Sequence, residues 1–385
     1  MVNFYKVSSS GLLVVFAFVL LLISFRFLLP YSDEPDWGYR ISHILNTDLH
    51  LFFYPDYSGV LESYTKQDCS ISSRQMDFFG FISQSCLNPV DFVLSRTLLV
   101  LYTLLPLFAV LIFPRFFYSC LVTLKVKIEF VEWERRLNAL KVFLLFPGAI
   151  YYLSVLSIEH FFLVVALYVF LFWNIALIQV FLLSLLSLID FGNFIVVALF
   201  VSFFYFLRFI YLTFGFQALS ICSLFFLLVS YSFNGDLIHI IPLPDILNNK
   251  VEGIMKVIID GAYYEKYPLL LRPVITFMGF ILLLPSGVKS SFGIFFVLLT
   301  LPYLLYKGLL VSRNMHDTLL FLLAPILFIL IFIFIFPTYS FSKYYVFLLP
   351  FIFYTMSSSG RFHSSLLFSL ITSIVVIINL ALYYI

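Results

Sequence analysis

The chain has 385 residues, of which 63% are hydrophobic, 21% aromatic and only 11% charged, with a formal net charge of +2. A soluble domain carries about 25% charge, so this chain has too little polar surface to face water. Its mean hydropathy of +1.08 predicts an all-α polytopic integral membrane protein, a single transmembrane domain over 1–385. It shows no basic stripe and no nucleic-acid motif, which argues against a nucleic acid as partner.

Residues 11–29 form the first apolar run, behind a short polar start containing Lys6. A cleaved signal peptide has a shorter apolar core and a small-residue cleavage site. Neither is present, so the run predicts an uncleaved first transmembrane helix. Further apolar runs of spanning length lie at 92–113, 142–158, 193–212, 215–232, 272–287, 291–306, 317–336 and 364–385. The stretch 161–190 is broken by Trp173 and Asn174 and is one long helix or two short ones; Asp190 suits a turn between helices, which favours two. With the shorter 344–357, the expectation is about 11–12 helices. Phe (51) and Tyr (25) are abundant and Gly (15) is scarce, which points to a static bundle rather than helices sliding on small residues.

Three polar segments interrupt the runs. Segment 30–91 has nine acidic and three basic residues, and segment 114–141 has six basic and three acidic. The positive-inside rule weighs Lys and Arg near helix ends. It puts 114–141 in the cytoplasm and 30–91 outside it as an extracytoplasmic loop. If 161–190 is two helices, 233–271 is a further extracytoplasmic loop. Cys69 and Cys86 share the first outer loop, where a disulfide is permitted and would be worth roughly 3 kcal/mol by chain entropy; two unrelated thiols are the alternative.

Charges in or beside membrane spans are costly, and each is a functional hypothesis by default. Asp33, Glu34 and Asp36 open the first outer loop, with Trp37, Tyr39 and Arg40 beside them. A carboxylate at the bilayer edge can act as general base toward a sugar hydroxyl; a solvated acidic loop is the simpler alternative. Glu159 and His160 stand together between helices, suited to proton transfer or to a polar turn. Asp190 fits substrate contact or helix capping. Tyr263, Lys266 and Arg272 precede a span, where the two cations could grip a diphosphate. Lys343, in an aromatic boundary, and Arg208 are weaker candidates of the same kind. No glycine-rich phosphate loop, Cys/His metal spacing or Ser-His-Asp set is visible, so no cofactor and no metal is assigned.

The layout of these runs resembles the bacterial O-antigen and capsular-polysaccharide polymerases of the Wzy type, the EpsG-like branch in particular. The residues that carry the likeness are the acidic, aromatic "DEPDWGY", the stretch "FPGAIYYLSVLSIEHFFLVVALY … LLSLLSLIDFGNFIVVALF", and "FSKYYVFLLPF" late in the chain. The chain departs from the family's pattern at Glu159–His160, Asp190 and Lys343, where relatives commonly carry Arg–Gln, His and Arg. The resemblance implies a multi-pass protein of the bacterial inner membrane. It would join repeat units carried on undecaprenyl diphosphate at the periplasmic face. It would work without metal or nucleotide, beside a flippase and a chain-length regulator. "DEPDWGY" also looks like the start of the first outer loop in GT-C glycosyltransferases that use polyprenyl-phosphate sugars, which is the second expectation. A flippase or transporter of polysaccharide units is the third.

Overall fold

The protein is described by a computed structural model covering residues 7–28, 89–126, 128–154, 157–173, 175–189, 191–233, 316–336, 344–357 and 362–384, with isolated positions between 252 and 306. Among these residues every regular element is a helix. In chain order they are α1 (Ser9–Leu28), α2 (Pro89–Ile112), α3 (Pro114–Thr123), α4 (Phe130–Leu144), α5 (Pro147–Ser154), α6 (Ile158–Leu171), α7 (Ala176–Ile189), α8 (Phe191–Phe233), α9 (His316–Ile335), a 3-10 turn at Val346–Leu348, α10 (Leu349–Met356) and α11 (Phe362–Tyr384).

Among the described residues, four helical stretches are long and apolar enough to cross a membrane: Ser9–Arg26, Phe191–Ser232, Thr318–Ile335 and Phe362–Ala381. The number rises to six if the pairs α2–α3, bent by 85°, and α4–α5, bent by 77°, each count as one span. The expected runs 272–287 and 291–306 lie almost wholly outside the described residues. α6, α7 and the 346–356 stretch are shorter apolar helices. The bend in α8 falls at Gly215, where φ is +81° and ψ −173°. Glycine tolerates that conformation and other residues do not, so the chain reverses there between the two apolar runs read from the sequence.

Local chemistry sets the ends. The Ser8 hydroxyl accepts from the Gly11 N–H at 3.1 Å and caps α1. Pro114 occupies the first turn of α3, where a missing N–H costs nothing. Ser157 caps α6, with Glu159 in its first turn complementing the helix dipole. The 161–190 stretch is two helices, parted at Phe172–Ile175.

One expectation needs correction. Residues 142–158 do not form one span. α4 starts upstream at Phe130, ends at Leu144, and hands over to α5 at Pro147. Proline cannot continue the hydrogen-bond ladder, and its ring crowds the preceding turn. The basic segment 114–141 is thus largely helical, and much of α4 is core: Trp133, Leu137 and every residue from Ala139 to Leu144 are buried.

α1 lies against α2, α5 and α11; α4 packs on α10 and α11; α8 packs on α7 and α9. The start of α1 meets the end of α2, since the Ser8 N–H donates to the Ile112 carbonyl at 2.9 Å. At the centre, Trp173 is ringed by Phe200, Phe204, Tyr205, Phe321 and Phe351, at centroid distances of 4.8–6.2 Å. That cluster joins the α6–α7 turn to α8, α9 and α10. Aromatic pairs of this kind contribute about 0.5–1.5 kcal/mol each beyond area burial. Leu12, Leu13 and Phe16 of α1 and Leu177 and Leu188 of α7 point away from the core, the pattern expected of a lipid-facing surface.

Candidate functional site

Broken helices leave carbonyl oxygens without intrahelical partners, and in an apolar surrounding each such group costs several kcal/mol. Four of these ends receive a side-chain donor. The Leu145 carbonyl, at the α4–α5 break, accepts from the Ser373 hydroxyl of α11. The Leu153 carbonyl, at the end of α5, faces His160 Nδ1 at 3.0 Å. The Leu171 and Trp173 carbonyls, at the end of α6, accept from Arg136 Nη1 at 2.9 and 2.8 Å. The Phe334 carbonyl, at the end of α9, accepts from Arg272 Nη1 at 2.7 Å. Two residues singled out in the sequence, His160 and Arg272, therefore complete the backbone.

His160 has no exposed surface. A carbonyl only accepts, so Nδ1 carries the proton given to Leu153. Nε2 stands 2.7 Å from Thr103 Oγ1 of α2, whose one hydroxyl proton serves either this nitrogen or the Val100 carbonyl. The same hydroxyl lies 2.7 Å from the Val100 carbonyl. With both ring nitrogens engaged, His160 ties together α2, α5 and α6. This is the geometry of a positioning residue. Its neighbour Glu159 is half-buried.

Arg26, in the last turn of α1, is 1% exposed and lies close enough to His160 for their charges to interact. In the sequence it lies inside an apolar run, which hides it. Thr97 of α2 is also buried. Arg26 is a few positions before Asp33 in the chain, so a guanidinium buried in the bundle immediately precedes the acidic stretch.

A second polar knot ties the opposite ends. Arg136 Nε donates to Glu132 Oε1 at 2.9 Å, and the Tyr354 hydroxyl of α10 donates to Glu132 Oε2. Trp133 Nε1 donates to the Pro114 carbonyl at 3.1 Å. No local pattern announces this knot beyond the charge of 114–141, which the positive-inside rule puts in the cytoplasm.

Of the other residues proposed from sequence, Asp33, Glu34, Asp36, Arg40, Asp190, Tyr263, Lys266 and Lys343 lie outside the described residues, as do Cys69 and Cys86. Arg272 is buried, and Arg208 is half-buried in the first arm of α8. Among the described residues, no three His, Cys, Asp or Glu side chains come together to hold a metal ion, and Cys120 and Cys222 are free thiols. Comparison of the chain with protein-family models, with curated proteins and with solved structures finds no match.

Proposed function

We propose that this protein is a polysaccharide polymerase of the bacterial inner membrane. It would join oligosaccharide units carried on undecaprenyl diphosphate at the periplasmic face. Support comes from the layout of the sequence and from the four to six helices fit to cross a membrane among the described residues. The observation that carries the reading is Arg26, a fully buried guanidinium at the end of the first span, leading into Asp33, Glu34 and Asp36. Buried cations beside membrane spans mark functional sites by default.

In this reading a carboxylate of the acidic stretch takes the proton from an acceptor sugar hydroxyl. That oxygen then bonds to the anomeric carbon of the donor, whose bond to the diphosphate oxygen breaks. The departing diphosphate gathers negative charge, and cations held in place at the span's end stabilise it without reorganisation. His160 fixes the surrounding helix ends. A flippase and a chain-length regulator are the expected partners, with membrane lipid around the bundle.

The test is the surface-polysaccharide profile of a deletion strain on a gel. Loss of the ladder, leaving lipid core plus one repeat, is the expected result. A ladder kept intact but lacking one side sugar would mean a GT-C-type transferase instead. Loss of every surface repeat, with lipid-linked units trapped inside the cell, would mean a flippase.

A further inference from the structure

Lys141, in the last turn of α4, is 4% exposed. Its Nζ donates to Ser10 Oγ at 3.0 Å and to Asn138 Oδ1 at 3.2 Å, and stands 5.7 Å from the centre of the Phe362 ring. All three partners are neutral. Glu134, exposed on the same helix, acts on Lys141 through space without a hydrogen bond. A lysine this buried is ordinarily paired with an opposite charge, because the uncompensated ammonium is costly.

The facing helix carries two more groups in want of a partner. The hydroxyls of Ser365 and Ser369 on α11 are fully buried and make no hydrogen bond. Two contacts fix their level. Phe362 lies by the Lys141 ammonium, and Ser373 donates to the Leu145 carbonyl one turn beyond Lys141. Residues 362, 365, 369 and 373 share one face of α11. Ser365 and Ser369 therefore lie between those contacts, alongside the part of α4 from which the lysine side chain departs. Ser10 is itself in contact with Ser8, at 3.2 Å between hydroxyl oxygens. Ser8, Ser10 and Phe362 are half-buried, so the ammonium reaches toward the end of the bundle where α1 and α11 begin.

An ammonium bonded to one serine hydroxyl, with two unbonded serine hydroxyls on the helix it packs against, is the chemistry of an oxyanion site. We propose that Lys141, Ser10, Ser365 and Ser369 bind a phosphate group at this end of the bundle, either free in solution or on the headgroup of a membrane lipid. The charge of Lys141 neutralises the anion, and the serine hydroxyls supply hydrogen bonds to its oxygens. α1 is 20 residues long, so its two ends stand roughly 30 Å apart. The site is separate from the Arg26 end, and the inference is independent of the polymerase reading.

The test uses the full-length protein. In detergent, inorganic phosphate is titrated while thermal unfolding is followed, with sodium gluconate at matched ionic strength as control. In parallel, the protein is released from nanodiscs of phosphatidylcholine mixed with phosphatidylglycerol, and the lipid it retains is identified by native mass spectrometry. Stabilisation by phosphate, weakened about tenfold or more in apparent affinity by Lys141→Gln, supports a free oxyanion as ligand. Retention of phosphatidylglycerol over phosphatidylcholine, lost in Lys141→Gln, supports a lipid headgroup. A wild-type protein that responds to neither probe overturns the proposal, as does an equal response in wild type and variant. If Lys141→Gln does not fold, the double variant Ser365→Ala, Ser369→Ala keeps the charge and decides the matter: weaker binding supports the site, and unchanged binding overturns it.

Discussion

The backbone of Gly11 lies directly against the carbonyl of Leu111. A methyl group placed on Gly11 would stand 2.2 Å from that oxygen and 2.9 Å from its carbon. Both obstacles are backbone atoms, so no side chain can turn aside, and α1 and α2 would have to part. Their contact extends to the edge-to-face pair Phe18 and Phe108, at 5.7 Å. Gly11→Ala is expected to lower the yield of monodisperse protein and its melting temperature in detergent, with an overpacking cost of about 1–3 kcal/mol. Gly11→Leu should be worse. An unchanged melting curve for both would show that the two helices can separate freely.

Arg136 makes three hydrogen bonds from one buried guanidinium: to Glu132, Leu171 and Trp173. Arg136→Ala leaves two carbonyls and a carboxylate without this partner. Breaking a buried pair in this way costs about 3–5 kcal/mol. Arg136→Lys keeps the charge and loses the forked geometry, so it should rescue only in part. Tyr354→Phe, which removes one donor to Glu132, should cost less, about 1–3 kcal/mol. Thermal unfolding of the three variants should rank them in that order of severity, alanine first.

His160 and Arg272 complete helix ends, so their loss should appear in folding, and on the proposed polymerase function in polymer as well. His160→Phe preserves the ring's bulk and removes the donor to the Leu153 carbonyl; about 1–3 kcal/mol is expected. Arg272→Ala likewise strands the Phe334 carbonyl. Both should reduce the amount of folded protein in the membrane fraction, measured by fluorescence-detected size exclusion. Normal levels of folded protein without polymer would instead show that these side chains serve the reaction directly.

Asp33 and Asp36 are expected to behave in the opposite way. If the acidic stretch supplies the base, Asp33→Ala and Asp36→Ala should each abolish polymer with protein levels intact. The assay is immunoblotting of membranes beside the polysaccharide gel. Full-length polymer in both variants would remove these residues from the mechanism.

Much of the helix layout was legible in the apolar runs, because a helix with lipid on one side needs no polar stripe and stands out by length alone. The ends of α1, α9 and α11 fall close to their predicted limits. The parting of α6 from α7 at Trp173 and the bend at Gly215 follow from residues that interrupt such runs. α4 was missed for the converse reason. "FVEWERRLNALK" looks solvated by composition, and its fate depends on partners distant in the chain: Tyr354 for Glu132, the α6 carbonyls for Arg136, Ser10 for Lys141. Arg26 was missed because one cation does not interrupt an apolar run, and its burial shows only in the packed bundle. No local pattern announces either case, since both depend on which helices meet in space.

The ring of aromatics around Trp173 gives the protein a built-in optical reporter. The chain has three tryptophans, and Trp133 and Trp173, at 0% and 1% exposure, are shut away from water. An indole so enclosed emits at shorter wavelength than a hydrated one. Trp173 touches rings from α8, α9 and α10 together, so the parting of any of them would admit solvent and shift the emission to the red while the helices themselves persisted. Loosening of the bundle could thus be told from loss of helix by comparing fluorescence with circular dichroism, with no label attached.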